Sequence, residues 1–414
     1  DGNDDPIPYK TPYRTRRVTV AQDIEWSEIP PIKQEFLGLG DDPAAFPESE
    51  VGYDAESAKA EAARCFRCDA ETGSADYSVR NREDIITMAK TNPLDHASHA
   101  AMLRQRLTIA DNPFPEGRPA TLDDIVFLPA NLTRLVIDPY REACRIDTEI
   151  GAGRIKMPHP FIVAGFDDAP KEVQTTVAAG LKEGNCSYLG AHSLGADVPW
   201  WQLLTPGETE PDADAAALIY SLGHEFHTVD AKRLRDDQVV GLAISSREAL
   251  EEVIPYTLDG DFDMLLLDGT GALGSSQAEF LGAPDLSILR DAVKILRRLG
   301  REEEIDLVYY GGIRSGTDAA KMIALGSTAV VLGVPVALAA GGNFDNGDMH
   351  FTTNLNADDR MRGVVNILKA SSVEASMMAR CTGKTNLHNI EPEDLRAITL
   401  ATAEATGVPL TGTV

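Results

Sequence analysis

The chain has few cysteines and no long apolar run. Its five cysteines among 414 residues fit no disulfide framework, which is typical of a protein in a reducing cytoplasm rather than of a small secreted domain. No run of 18 apolar residues occurs, so we predict no membrane span. The N-terminal stretch DGNDDPIPYK is acidic and lacks the apolar segment of a signal peptide. We therefore expect a cytoplasmic protein.

Positive charge is also scarce. The chain carries 38 Lys and Arg residues against 65 Asp and Glu residues, a formal net charge of -27 at pH 7. Repulsion from the phosphates would oppose nucleic-acid binding everywhere outside a local basic patch, so we expect no nucleic-acid partner. Such a surface either only keeps the protein in solution or steers a basic protein partner towards it, and the composition leaves both open.

Two consecutive strand-turn-helix units occupy residues 307–342. The run from Leu307 to Tyr310 is apolar and rich in β-prone residues, and Gly311 and Gly312 stop it. Apolar residues then recur at helical spacing from Thr317 to Leu325. A second strand and helix follow directly. The pattern predicts neighbouring strands whose carboxyl ends each lead through a glycine turn into a helix.

The turns of these units are suited to binding a phosphate group. Glycine lets the backbone approach a ligand closely, and the first N–H groups of a helix have no partners within it, so they can donate to an anion. Arg314 and Ser315 can add contacts, and Gly333 ends the second strand. In a (β/α)8 barrel the phosphate site lies after strands seven and eight. The alternative is an ordinary crossover with glycine turns.

The segment GGIRSGTDAAKMIALGSTAVVLG resembles the phosphate-binding end of the FMN domain of the glutamate synthase family, which is a TIM barrel. Four other segments are similar to that family in the same order, namely Thr121 to Leu135, Met157 to Val173, Phe262 to Ser276 and Ala379 to Thr399. The resemblance implies an α/β fold, with an FMN-binding (β/α)8 TIM barrel and C-terminal helices over residues 120–414. An extended N-terminal arm and a short helical CxxC segment would occupy residues 1–119.

The resemblance also implies three groups of FMN contacts. The phosphate would be held by Gly311, Gly312, Arg314, Ser315 and Gly333. The ring and ribityl chain would face residues at the ends of the first two barrel strands, namely Ala164, Gly165, Asn185 and Ser187. The substrate side would be lined by Asp268 and Gly269. No catalytic residue is assigned.

Several family features are missing. Glutamate synthases carry three closely spaced cysteines for a three-iron cluster after the phosphate region, whereas Val334 to His350 contains none. A family lysine that binds 2-oxoglutarate would fall in Val239 to Ser246, which has no basic residue. Two hypotheses follow. In the first, the chain is an FMN-dependent oxidoreductase subunit that exchanges electrons with an iron-sulfur or flavin partner, with or without an amino or imino acid as substrate. In the second, it is a non-catalytic scaffold or regulatory subunit that retains the barrel.

The N-terminal region carries a CxxC pair. EAARCFRCD, from Glu61 to Asp69, resembles a segment of the FAD-dependent iron-sulfur oxidoreductases related to the glutamate synthase small subunit, in which such cysteines bind a four-iron cluster. Cys65 and Cys68 are therefore the candidate metal ligands. A four-iron cluster needs four ligands and no further cysteine follows nearby, so a cluster completed elsewhere, a redox dithiol and a structural remnant all stay open. This segment and the proline-rich arm before it predict a hetero-oligomer with other redox subunits.

The pair Trp200 and Trp201 lies in DVPWWQLLTPGETEPD, a stretch that we interpret as a proline-rich loop after a barrel strand. Such a loop could cover the flavin or dock another subunit. Because two exposed indoles are unfavourable in water, we expect burial of one kind or the other.

Overall fold

The computed structural model describes residues 32–35, 37, 51–63, 97, 117–130, 143–205, 207, 209–275, 278–280, 282–345 and 348–412. The chain divides into two compact units, Asp1–Pro113 and Phe114–Val414. In the first unit, helix α1 spans Ala55–Ala63, where alanine and charged residues predict a helix. Its first turn is closed by the Ser57 N–H, which donates to Asp54 Oδ1 over 2.7 Å. Cys65, Cys68 and most of the predicted arm lie outside the described residues.

The second unit is built on a closed barrel of eight parallel strands. Three short strands precede it, β1 (Ile125–Phe127), β2 (Thr148–Ile150) and β3 (Ile155–Met157). The barrel strands are β4 (Phe161–Ala164), β5 (Ser187–Gly190), β6 (Trp200–Leu204), β7 (Ala217–Ser221), β8 (Val239–Ile244), β9 (Met264–Asp268), β10 (Asp306–Tyr310) and β11 (Ala329–Leu332). They pair in chain order, and β11 closes onto β4. The prediction of a TIM barrel is confirmed.

Helices cover only part of the barrel. They are α2 (Lys171–Gly184) after β4, α3 (Leu250–Asp259) after β8, α4 (Ser287–Leu299) after β9, α5 (Gly316–Ala324) after β10 and α6 (Val334–Ala339) after β11. Between β5 and β8 the described residues form loops instead. The rest is a hairpin of β12 (Gly342–Asp345) and β13 (Asp348–Phe351), helix α7 (Ala357–Cys381), strand β14 (Leu395–Ala397) and helix α8 (Leu400–Thr406). No helix in the described part of the chain is long and apolar enough to cross a membrane.

The barrel interior is filled by alternate residues of its strands, among them Ile162, Leu189, Trp201, Tyr310 and Val331, all of them buried. The loop prediction for the tryptophan pair was wrong, because the two residues begin β6. Alternation along that strand turns one indole into the barrel and the other outwards, where its Nε1 donates to a backbone carbonyl over 2.9 Å. Burial of both indoles, expected from their size, is confirmed. The interior is thus a packed core rather than a pore.

The segments before and after the barrel are joined by a buried carboxylate. Residues 121–127 lead into the barrel and are called the lead-in here. Asp124 in this segment is 1% exposed and accepts hydrogen bonds from Thr399 Oγ1 over 3.0 Å and Thr402 Oγ1 over 3.1 Å. Arg118 forms a salt bridge with the same carboxylate. Burial acts to raise the pKa of Asp124, but these hydrogen bonds outweigh it and hold the pKa below its usual value. The charged form therefore stabilises the junction that brings β1 beside β14.

Candidate functional site

The turn after β10 has the geometry that its glycines predict. Gly311 has a φ of +136° and Gly312 a φ of +70°, so both lie in the region that L side chains rarely adopt. A Cβ on Gly311 would also lie 2.9 Å from the Pro284 side chain. Only glycine fits this turn without strain. The turn brings the Gly312 N–H to the carboxyl end of the barrel, beside the turn after β11.

One side chain binds both turns. Glu279 accepts the Gly312 N–H on Oε1 over 2.7 Å and the Val334 N–H on Oε2 over 2.9 Å. The Ile313 N–H also acts on this carboxylate. A Cβ on Gly333 would come within 3.0 Å of Oε2, so the missing side chain leaves room for the carboxylate. The two predicted turns therefore converge on a single anionic group, and that group belongs to the chain itself.

Glu279 is partly buried. Burial raises the pKa of this carboxyl, although the backbone N–H groups and the nearby Arg314 favour its charged form. Its charge and that of Asp268 add to burial in raising the pKa of Tyr310. Glu279, Asp268 and Tyr310 therefore lie close enough at the barrel mouth to interact electrostatically. The donors fit a phosphate, because N–H groups of two turns already hold both oxygens of an anion.

Arg314 is bound to two carboxylates of the chain. Its guanidinium donates to Asp123 over 2.6 and 3.0 Å and to Asp318 over 3.1 Å. Asp318 is buried and also accepts the Arg314 backbone N–H, while the arginine side chain is 54% exposed. The predicted contact between this side chain and a phosphate stays a prediction, since in this structure the guanidinium fastens the lead-in to α5.

The start of α5 is also satisfied from within the chain. Ser315 is the N-cap, and its Oγ accepts the Asp318 N–H over 3.4 Å. The Gly316 N–H donates to Glu374 Oε2 over 3.0 Å, from helix α7. A Cβ on Gly316 would lie 1.8 Å from the Ser371 carbonyl oxygen, so the two helices pack backbone to backbone here. The side chains of α7 thereby take up donors that the sequence alone leaves free for a ligand.

Four further predicted residues lie at the same end of the barrel. Ala164 is the last residue of β4, and Gly165, which follows it, has a φ of +90°. Asp268 is the last residue of β9, and Gly269 follows it. The Asp268 carboxylate accepts hydrogen bonds from the Thr270 N–H over 2.9 Å, from Thr270 Oγ1 over 2.7 Å and from the Leu273 N–H over 3.0 Å, so it orders the loop that follows it. These four residues lie at the mouth, and their contact with FMN stays a prediction. The Asp268 carboxylate already accepts three hydrogen bonds from its own chain.

Asn185 and Ser187 do not join this group. Asn185 ends α2 with a left-handed φ of 50°, which places it before β5 rather than after it. Ser187 is the first residue of β5 and pairs with Ile162, in the middle of β4. Because all barrel strands run in one direction, residues that precede a strand lie at the opposite end from the mouth. This correction removes both residues from the candidate site.

A small cavity of about 150 Å³ opens at the mouth, at the carboxyl ends of β7, β8 and β9. His224 Nδ1 lies 3.0 Å from Ser245 Oγ, which itself donates to the Gly223 carbonyl over 2.7 Å. Because the single hydroxyl proton of Ser245 is used on the Gly223 carbonyl, Nδ1 of the histidine is the donor in this pair. The cavity also borders Asp268 and Leu273. Its volume falls below the roughly 300–1,000 Å³ of typical ligand pockets, because the loop after β9 covers part of the mouth.

A larger cavity of about 620 Å³ lies at the other end of the barrel, beside β2 and β3. Its charged lining includes Arg145 and Asp147, which pair with each other over 2.7 Å. Active sites of TIM barrels lie at the carboxyl ends of the strands, so this cavity is not our candidate. Among the described residues, no group of three or more His, Cys, Asp and Glu side chains is arranged to hold a metal ion.

Sequence reasoning missed Glu279, Glu374 and Val334. The turn glycines signal the donors, but nothing in the spacing shows that a carboxylate between β9 and α4 reaches the turn after β10. Likewise, the N–H group of Gly316 looks free until α7 is packed against α5. A glutamate that follows a glycine-rich loop is at most a weak signal, because glutamate is common on exposed loops of every kind.

Comparison with known proteins finds similarity to glutamate synthases. Residues 165–345 match the family described as the conserved region in glutamate synthase. The glutamate synthase large subunit-like protein of Rhizobium meliloti is 36% identical over 184 residues, covering 36% of this chain and 42% of that protein. The archaeal glutamate synthase [NADPH] of Methanocaldococcus jannaschii is 24% identical over 208 residues, covering 49% of this chain and 40% of that protein. The chain spans less than half the length of these two relatives.

More distant similarity extends to other enzymes. The L-lactate dehydrogenase (cytochrome) of Saccharomyces cerevisiae is 26% identical over 180 residues, covering 44% of this chain and 27% of that protein. A solved structure of mandelate oxidase with (S)-2-phenylpropionate has a TM-score of 0.44 at 17% identity, covering 64% of this chain and 84% of that one. The resemblance of the barrel to the glutamate synthase family is confirmed. The resemblance of Glu61 to Asp69 stays a prediction.

Proposed function

We propose that this chain is a glutamate-synthase-like oxidoreductase subunit that binds FMN at the carboxyl end of its barrel and serves within a larger redox complex. The observation that carries the proposal is the convergence of the Gly312 and Val334 N–H groups on one anion. Those donors come from the turns after the last two barrel strands, where barrels of this type bind phosphate. The match of residues 165–345 to the glutamate synthase region supports FMN as the ligand.

The residues at and below the barrel mouth have separate roles in this proposal. The backbone of Gly312, Ile313 and Val334 would hold the phosphate, and Ala164 and Gly165 would border the ring. Tyr310 and Trp201 are buried in the barrel interior beneath the mouth and would form the floor of the site. Asp268 fixes the loop over the mouth and limits access from above. When bound, FMN would supply one- and two-electron transfer.

The second candidate is a barrel that has become a scaffold or regulatory subunit. It is favoured by the same carboxylate, because Glu279 fills the donors that a phosphate would use. The pairing of Arg314 with Asp123 and Asp318 points the same way. In this case the acidic surface and the N-terminal arm would carry the function, through contacts with other subunits.

Flavin content after native purification tests the choice. The proposal predicts bound flavin that is released by denaturation and identified as FMN, in a ratio close to one per chain. An iron assay on the same sample, with Cys65→Ser combined with Cys68→Ser as the comparison, tests whether this pair holds a cluster. A protein that is colourless and takes up no FMN after incubation would overturn the proposal in favour of the scaffold.

A further inference from the structure

We propose that Glu279 is an internal competitor for the phosphate site, so that a phosphorylated ligand binds only when it displaces this carboxylate. The inference rests on the proposed function and adds a residue that sets the affinity and selectivity of the site. A phosphate and Glu279 would need the same two donors. The N–H groups of Gly312 and Val334 that would bind a phosphate already hold the two oxygens of Glu279 at 2.7 and 2.9 Å.

A phosphate and the Glu279 carboxylate cannot occupy the site together, because they need the same donors and the same space. Each backbone N–H makes one strong hydrogen bond, so a bound phosphate and the Glu279 carboxylate cannot both be satisfied by the same two donors. The space is tight as well. A Cβ on Gly333 would lie 3.0 Å from Oε2 of Glu279 and 3.0 Å from Oη of Tyr310, so the carboxylate and the phenol enclose this point.

Charge gives a second reason. A phosphate monoester carries about -1.5 to -2 charges at neutral pH, and a carboxylate that stayed beside it would repel it strongly in a partly buried site. Asp268 lies close enough to act on the same tyrosine as Glu279, so the mouth already carries a second negative group. The guanidinium of Arg314, which favours the charged form of Glu279, is committed to Asp123 and Asp318. Nothing in this cluster would compensate a retained carboxylate.

The carboxylate can leave without rearranging the barrel. Glu279 lies on a short turn, Ala278–Phe280, between β9 and α4. Ala278 is buried in the barrel core and anchors the turn. The base of the connection is closed by the Asp285 N–H, which donates to the Gly269 carbonyl over 2.8 Å. With these points fixed, we infer that rotation of the Glu279 side chain would free both donors.

Competition of this kind lowers affinity in proportion to the fraction of molecules in which the site is open. It also discriminates between ligands. FMN must displace the carboxylate, whereas riboflavin lacks the phosphate and needs neither donor. Removing the carboxylate should therefore raise the affinity for FMN and leave the affinity for riboflavin unchanged.

The test is a fluorescence titration of the flavin-free full chain with FMN and, separately, with riboflavin. The variants are Glu279→Ala and Glu279→Gln, and Glu225→Ala is the matched control, because Glu225 is an exposed glutamate of the loop after β7. We expect Glu279→Ala to lower the Kd for FMN by about tenfold or more, since it removes an occupant held by two charge-assisted hydrogen bonds. Riboflavin binding should change by less than about twofold. Glu225→Ala should match the wild type with both ligands.

Three results would overturn the inference. If the wild type binds FMN and neither variant at 279 changes the Kd, Glu279 does not compete and the proposed function stands. If both variants weaken FMN binding, Glu279 organises the site instead. If no protein binds FMN, the proposed function falls together with the inference. Thermal unfolding of each variant shows that it is folded, and Glu279→Gln, which keeps one acceptor oxygen, decides the question should Glu279→Ala fail to fold.

Discussion

For Arg314 the sequence and the structure predict different effects of mutation. From sequence alone, Arg314→Ala should release FMN, because the arginine follows the phosphate-binding glycines. In the structure the guanidinium binds Asp123, which is exposed, and Asp318, which is buried. The structure therefore predicts that this side chain fastens the lead-in segment to α5, and that its loss acts on stability rather than on flavin binding.

The two cases differ in magnitude. A direct charge-assisted contact with a phosphate contributes roughly 1.5–3 kcal/mol, so its loss would raise the Kd for FMN by about 10- to 150-fold. For the fastening role, the exposed pair with Asp123 contributes at most about 1 kcal/mol and the bond to Asp318 somewhat more. Asp318 also keeps the backbone N–H of residue 314. We expect the free energy of unfolding to fall by about 1–2 kcal/mol and the Kd to change less than fivefold or so.

The assay combines urea unfolding with FMN titration of Arg314→Ala, Asp123→Ala and the double variant. A coupling energy of about 1 kcal/mol or less between the two positions is expected for such an exposed pair. Arg298→Ala is the matched control, because Arg298 forms an exposed salt bridge with Glu251 elsewhere on the barrel. A Kd at least tenfold higher for Arg314→Ala, with unchanged stability, would refute the fastening role and restore the direct phosphate contact.

Two further predictions concern the packing around the site. Gly316→Ala should lower the free energy of unfolding by about 3 kcal/mol, because the new Cβ would lie 1.8 Å from the Ser371 carbonyl oxygen. The control Gly282→Ala, whose Cβ would have nothing within 4 Å, should change it by less than about 0.5 kcal/mol. Equal effects of the two variants in thermal unfolding would contradict the close contact of α5 and α7. Asp124→Asn should cost about 2 kcal/mol at pH 7 through its weakened bond with Arg118. Folding lowers the pKa of Asp124, so the contribution of its charged form to stability is present above about pH 4 and is lost as the pH falls through the lower pKa of the folded state. A stability difference between Asp124→Asn and the wild type that persisted in strong acid would refute this assignment.

The barrel could be predicted because its signals are local. Gly311 and Gly312 follow an apolar run and precede a helical pattern, and positive φ values at both confirm why glycine occupies them. The predictions failed where the position of a residue depends on the direction of a strand or on pairing with segments distant in sequence. Asn185 and Ser187 lie near a strand in sequence, but at the end opposite to the mouth. Trp201 looks like a loop residue beside prolines, yet pairing with two neighbouring strands draws it into the core.

The chemistry of the site was harder to predict for the same reason. The sequence indicates backbone donors after β10 and β11, but not their partners, because those partners come from distant segments. Glu279 reaches Gly312 from the connection after β9, and Glu374 reaches Gly316 from α7. Long-range pairing of this kind depends on the assembled barrel and leaves no periodic trace in the sequence.

The most direct test of the central claim is to observe the amide signals of Gly312 and Val334 by ¹⁵N NMR while FMN is added to the flavin-free protein. If these two N–H groups bind the phosphate, their signals shift on addition of FMN and stay in place on addition of riboflavin. Saturating FMN that shifts other amides and leaves these two unchanged would contradict the account.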